Sequence, residues 1–217
     1  MTLPLFGRPS AGFLPDTRQK ETGVPHSSTV SFLSYWRGLQ SSPDKAPPRA
    51  AFDPAHLKGL IPQMIMISDA DAGHRFRLSG GFVVTFHGYE LKDASFADLF
   101  RQPFVDTLRT ALILARRREQ PLILSLSAPW QGLDLSGDGD TSHNDTILFE
   151  ICLCPMSNRE GKVDRFVGIY QTLSAPPRNP YGKIGKYTLV SSRLYEPRQT
   201  AKAGHLQLVA TEGKRIA

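Results

Sequence analysis

Cysteine is nearly absent: the 217 residues include two, Cys152 and Cys154. They stand two apart in an apolar run, where a disulfide between them would be strained, so no secreted disulfide framework is encoded. Long uncharged runs are missing too, and no window approaches the roughly 20 apolar residues a membrane-spanning helix requires. The opening MTLPLFGRPSAGFLP has no cationic start followed by an unbroken apolar segment, which argues against a signal peptide. A reducing, cytoplasmic setting is therefore expected. Catalytic signatures are also lacking. Gly80-Gly81 and Gly137–Gly139 stand outside any GKS/T or GxGxxG context, and there is no nucleophile elbow or HExxH spacing. No internal repeat is visible.

What is present is ordinary in bulk and uneven in charge. A hydrophobic fraction of 40% suits a globular protein with one full core. The formal charge of the chain is +6. Residues 176–217 hold eight Lys/Arg against Glu196 and Glu212, so the basic excess belongs to this tail. Residues 1–26, without periodicity, form an extension; 27–175 form the domain; 176–217 form the tail, expected to lie mostly outside the core.

Along the domain, a helix begins at Ser27 or Ser28, either able to cap it, with Val30, Leu33, Trp36 and Leu39 near one face. Prolines in SSPDKAPPRA end it, and Asp53-Pro54 starts a short helix reaching Leu60. Strands over 63–69 and 74–79 flank a turn, and Gly80-Gly81 leads into a helix over 81–87. Ser95–Phe100 is a single helical turn. Phe104–Arg118 is the clearest helix, with Val105, Leu108, Leu112 and Ala115 on one face and Arg116-Arg117-Arg118 at its negative end. Three strands follow: Leu122–Trp130, Thr146–Pro155 and Arg165–Leu173. The tail's strand-like pieces are Tyr187–Val190 and Leu206–Val209. Strands segregated from helices point to an α+β fold with an antiparallel sheet.

The element order, and Phe86-His87-Gly88-Tyr89-Glu90-Leu91 after the first domain helix, resemble PAS domains. Tyr35-Trp36-Arg37, Phe52-Asp53-Pro54, Leu57, Leu60-Ile61-Pro62, Phe76-Arg77-Leu78-Ser79-Gly80, Glu150 through Pro155-Met156 and Val167-Gly168 resemble, more narrowly, a bacterial single-PAS family long catalogued as a domain of unknown function. The resemblance spans about residues 30–174. It implies a five-stranded antiparallel sheet in the order 2-1-5-4-3, with helices on one face and a flanking N-terminal helix. It also implies a cavity, with Phe76, Leu78, Phe82, Val83, Phe86, Leu108, Leu112, Phe149, Ile151 and Ile169 as the residues expected to line it.

Cofactor expectations are mostly negative. His74, at a turn exit, is expected to be exposed, and His87, near a helix end, to be solvated or capping, so haem is not expected. A flavin-reactive cysteine is not expected either, because both cysteines lie on a strand. They read as small buried hydrophobes. The acidic loop is the exception. Asp134, Ser136, Asp138, Asp140, Ser142 and Asp145 repeat the oxygen spacing of a calcium loop, with Gly139 at its sixth position, although Asp stands where a bidentate Glu is preferred and the flanks are strands.

The resemblance implies a non-catalytic regulatory protein in bacterial signal transduction, acting by contact with a kinase, a scaffold or another PAS protein. No kinase transmitter, cyclase or helix-turn-helix follows the PAS-like segment. Tyr35 and Trp36 are the candidates for packing on the sheet or on a second copy in a homodimer. Two alternatives stand beside this: a receptor with a small molecule in the cavity, and a binder of nucleic acid, a nucleotide messenger or a membrane surface through the basic tail with Tyr181, Tyr187 and Tyr195.

Overall fold

Apolar residues on both sides of the three long strands give the sheet two buried faces, and the described helices, all of which precede those strands in the chain, cover them. The computed structural model describes residues 24–68, 73–132, 145–175, 177 and 181–196. Helix α1 (Ser27–Gly38) comes first, then a 3-10 segment (Pro54–Gln63), strands β1 (Met64–Ser68) and β2 (Phe76–Ser79), and helix α2 (Gly81–His87). After a 3-10 turn (Phe96–Leu99) follow α3 (Gln102–Arg118), β3 (Leu122–Gly132), β4 (Thr146–Ser157) and β5 (Val163–Thr172). Two further strands, β6 (Gly182–Ile184) and β7 (Thr188–Leu194), complete the described chain.

The sheet runs β2-β1-β5-β4-β3, antiparallel throughout, in the order that the resemblance implies. It does not stop at five strands. Both β6 and β7 pair with β3, from Trp130–Gly132 and from Leu122–Ser127 respectively. Part of the basic tail is therefore sheet, and Ile184 and Tyr187 are core residues, which corrects the expectation that it lies mostly outside. Tyr187–Val190 anticipates β7; Leu206–Val209 falls outside the described residues.

On the inner face, Ile65, Ile67, Leu122, Leu124, Leu126, Phe149, Ile151 and Leu153 meet α2, the 96–99 turn and α3, whose Val105, Leu108, Leu112 and Ala115 are buried as its periodicity predicts. The outer face of Met64, Ile123, Cys152, Cys154, Val167 and Ile169 receives α1. Here the face of α1 is turned one step from expectation: Thr29, Phe32, Leu33 and Trp36 are buried, and Val30 is exposed. The Trp36 indole explains the rotation, since its Nε1 donates to Pro155 O at 3.0 Å across the sheet. Full burial of such a side chain contributes about 1.5–3 kcal/mol. The cap is also displaced. His26 Nδ1 accepts from Ser28 N at 3.2 Å, in place of a serine hydroxyl, while its own N–H donates to the buried Glu150 carboxylate at 3.3 Å.

The junction between β2 and α2 depends on glycine. A Cβ on Gly80 would lie 2.3 Å from Pro62 O and 2.4 Å from Ile61 O, so only glycine lets the two segments approach this closely. Gly88 ends α2 at φ 73, the left-handed conformation of a helix C-cap.

Candidate functional site

The interior beneath α2 is where a cavity is expected, and it is filled by the chain's own rings. Phe86, on α2, stacks with Phe82 at 5.4 Å and meets Phe149 edge-on at 5.9 Å. Phe96 and Phe100 follow through the 96–99 turn, at 5.4 Å from each other. Tyr187, arriving from the segment between β6 and β7, meets Phe100 and Phe149: its ring is 5.2 Å from the first and 4.8 Å from the second, both T-shaped. Its backbone is fixed on both sides, donating to Leu99 O at 2.8 Å and accepting from Arg101 N at 3.0 Å.

Polar atoms in this apolar interior must be paired, and they pair with one another. The Tyr187 hydroxyl lies 2.6 Å from His87 Nε2 and 3.3 Å from the Tyr170 hydroxyl. When Tyr187 donates to Tyr170, it accepts from His87 Nε2–H, which sets the histidine tautomer. His87 is 2% exposed. Burial pushes its pKa down to about 4, so it is neutral near pH 7. Burial likewise raises both tyrosines above the ordinary phenol range, and they stay protonated. This is a structural hydrogen-bond cluster with no ionised member. It corrects the expectation of a solvated or capping His87. His74, expected to be exposed, is half-buried against Phe166.

Of the expected cavity residues, Phe76, Val83, Phe86, Leu108, Leu112, Phe149 and Ile151 are buried together on the inner face, and Phe82 packs against them. Leu78 and Ile169 are not among them. Leu78 is 47% exposed because β2 carries a bulge: Leu78 pairs with Met66 and Phe76 with Ile67, leaving Arg77 as the extra residue and Leu78 beside Met66 on the outer face. Ile169 alternates with Phe166 and Tyr170 on β5 and so faces α1.

A smaller pocket opens at the edge of this interior. Phe82, Phe86, Trp130, Ile147, Thr172 and Gly182 border a volume of about 240 Å³. Trp130 and Ile147 are not among the residues that the sequence marks for the cavity, nor are Phe96, Phe100, Tyr170 and Tyr187. For Trp130, Ile147 and Tyr170 the signal is their place in the apolar strands β3–β5, for Phe96 and Phe100 the aromatic pair of the single helical turn, and for Tyr187 the aromatic opening of a strand-like piece within a basic tail.

The other expected sites are dispersed. Trp36 is 2% exposed on its own sheet and has no surface to offer a second copy. Tyr35 is half-buried; its hydroxyl donates to Asp53 O at 2.8 Å and accepts from Asp53 N at 2.9 Å. Cys152 and Cys154 are free, buried thiols with sulfurs 3.9 Å apart, and burial raises the Cys154 pKa well above the usual range. Asp134, Ser136, Asp138 and Asp140 of the acidic loop lie outside the described residues. Asp145 is described, and its carbonyl accepts from Trp130 N at 2.7 Å. Among the described residues, no three His, Cys, Asp or Glu side chains come together as a metal site, and no helix is long and apolar enough to cross a membrane. The tail tyrosines do not form a stacking platform: Tyr187 is in the core and Tyr195 lies under the Arg37 guanidinium at 4.7 Å.

Residues 24–171 match the family model PAS_5, described as a PAS domain. Among solved structures, the chain is similar to a light-oxygen-voltage domain studied with a flavin analogue, at 12% identity and a TM-score of 0.39, over 55% of this chain and 83% of that one. It is similar to the Rhodobacter sphaeroides LOV protein at 13% identity and a TM-score of 0.39, over 57% of this chain and 69% of that one. The dark structure of the Aureochrome1 LOV photoreceptor gives 11% identity and a TM-score of 0.37, over 54% and 80%. At these scores the likenesses carry no weight for what this chain binds. No curated protein matches it. On the extent of the family match, which takes in α1 and strands β1 through β5, the chain belongs to the PAS_5 family of PAS domains.

Proposed function

We propose that this chain is a sensory, regulatory PAS protein of the cytoplasm that has no chemistry of its own and signals by contact with another protein. Membership of the PAS family supports the sensory role. The observation that carries the rest is Tyr187. A side chain from beyond the matched residues fills the inner face, with its hydroxyl on His87. The partner is a signalling protein such as a kinase, a scaffold or another PAS protein, and a second copy of the chain falls within the same class.

The experiment is native mass spectrometry with an absorption spectrum, on protein purified from its own cells. The polypeptide mass alone, without visible absorbance, is the expected result. A stoichiometric bound molecule overturns the proposal in favour of a receptor.

That receptor is the second reading, and the pocket beside Phe82, Phe86 and Trp130 favours it. It stands second because the pocket's volume of about 240 Å³ is below the roughly 300–1,000 Å³ usual for cofactor and drug-sized ligand sites.

A further inference from the structure

The outer face of the sheet is covered unevenly. Helix α1 lies over β4 and β5 around Cys152 and Cys154, whereas among the described residues the β1–β2 end has only the 3-10 segment Pro54–Gln63 beside it. The bulge in β2 turns Leu78 onto this end beside Met66, and the Pro54–Gln63 segment brings Ile61 alongside. Phe52 closes the far wall. The result is an apolar groove of about 420 Å³ in which Ile61 and Leu78 are respectively 43% and 47% exposed.

Two cationic side chains, Arg49 and Arg165, line the groove, and among the described residues no aspartate or glutamate does. Arg49 is paired with Asp164 at 3.4 Å. Arg165 donates to the backbone carbonyl of Asp164 at 3.3 Å, so its guanidinium retains donors directed at no carboxylate of the described residues. Two features of this surface select an occupant. The methionine, leucine and isoleucine floor accepts large flexible apolar side chains, and an arginine fork at the rim favours a carboxylate.

We propose that this groove docks an apolar, carboxylate-bearing segment of the partner protein. Its large side chains lie on Met66, Leu78 and Ile61, and its Asp or Glu sits at Arg165. The proposal rests on the contact reading above and names the chemistry of its partner. Rim charge supplies selectivity and encounter rate, and the apolar floor supplies most of the affinity.

The test is selection of displayed 12-residue peptides against the full-length chain, followed by titration of the winners as synthetic peptides. Enriched peptides are expected to combine bulky apolar residues with Asp or Glu. Leu78→Asp should abolish their binding, and Arg165→Glu should weaken it by about tenfold or more. Replacing the peptide's Glu by Lys should restore binding to the Arg165→Glu chain, which separates lost docking from lost folding. The proposal is overturned by failure to enrich any peptide, by enrichment of basic ones, or by binding indifferent to both substitutions. It is equally overturned if Leu78→Asp converts a dimer to a monomer, because the occupant is then a second copy. Binding that emerges only after removal of residues 1–23 also overturns it, because the occupant is then the chain's own segment. A bound small molecule in the native mass spectrum defeats the contact reading itself, whereas a clean spectrum with no groove binding defeats only this inference.

Discussion

The Tyr187 hydroxyl stands 2.6 Å from His87 Nε2, joining the link between β6 and β7 to the last residue of α2 across a hundred positions of sequence. Through this pair, β6 and β7 are tied into the domain core. Removing the hydroxyl alone should therefore be felt. Tyr187→Phe leaves a buried His87 nitrogen and the Tyr170 hydroxyl short of a partner, and should cost about 1–3 kcal/mol. Tyr187→Ala, which also opens a cavity among Phe100 and Phe149, should cost about 3–5 kcal/mol. Urea unfolding followed by circular dichroism measures both.

The same pair predicts a pH dependence. His87 is held at a pKa of about 4 when folded, against 6.5 for the free side chain, and burial is the cause. Between those values the unfolded chain binds the proton and the folded chain does not, so stability falls as pH drops. His87 contributes its full share above about pH 6.5 and loses it progressively down to about pH 4, for a total of about 3 kcal/mol. Denaturation at pH 7, 5.5 and 4.5, compared with His87→Gln, should show a shallower slope in the variant. An NMR titration giving His87 a pKa near 6.5 would contradict the burial described.

Neighbouring residues on β2 should respond in opposite ways. Phe76 is sealed on the inner face, so Phe76→Ala should cost about 3–5 kcal/mol. Leu78, two residues on, faces the open groove, and Leu78→Ala should cost under about 1 kcal/mol. Equal costs would place the two side chains on one face, as they would be without the bulge.

Gly80→Ala tests the close approach of β2 to the Pro54–Gln63 segment. The added methyl would meet two backbone carbonyls, which cannot rotate away, and should destabilise the domain by at least about 1–3 kcal/mol. Thermal unfolding of the variant gives the answer.

Much of the architecture is legible in the sequence. Glycines at 80–81 and 88 bracket α2, and its helical bounds follow directly. Partial alternation along β3 and β5, and the apolar run ILFEICLC in β4, locate three strands, and the expected order of the sheet follows from the family resemblance. The misreadings share a physical origin, since each depends on a contact between distant segments. The bulge at Arg77 reverses Leu78 without any local signal. The rotation of α1 is set by Trp36 reaching Pro155 O, and no periodicity within the helix contains that contact. Tyr187 is the clearest case. Its basic surroundings resemble a solvated tail, and only pairing of β7 with β3 delivers its ring to Phe149 and His87. The ring cluster is half legible: the sequence points to Phe76, Phe82, Phe86 and Phe149 but not to Phe96, Phe100, Tyr170 and Tyr187, which pack among them.

The segment carrying Tyr187 belongs to the domain core. Amide hydrogen exchange of Tyr187, whose N–H donates to Leu99 O at 2.8 Å, tests it most directly. Protection equal to that of Ile151 in β4, lost only on global unfolding, is the predicted result. Exchange at the rate of an open loop, while Ile151 remains protected, would contradict it.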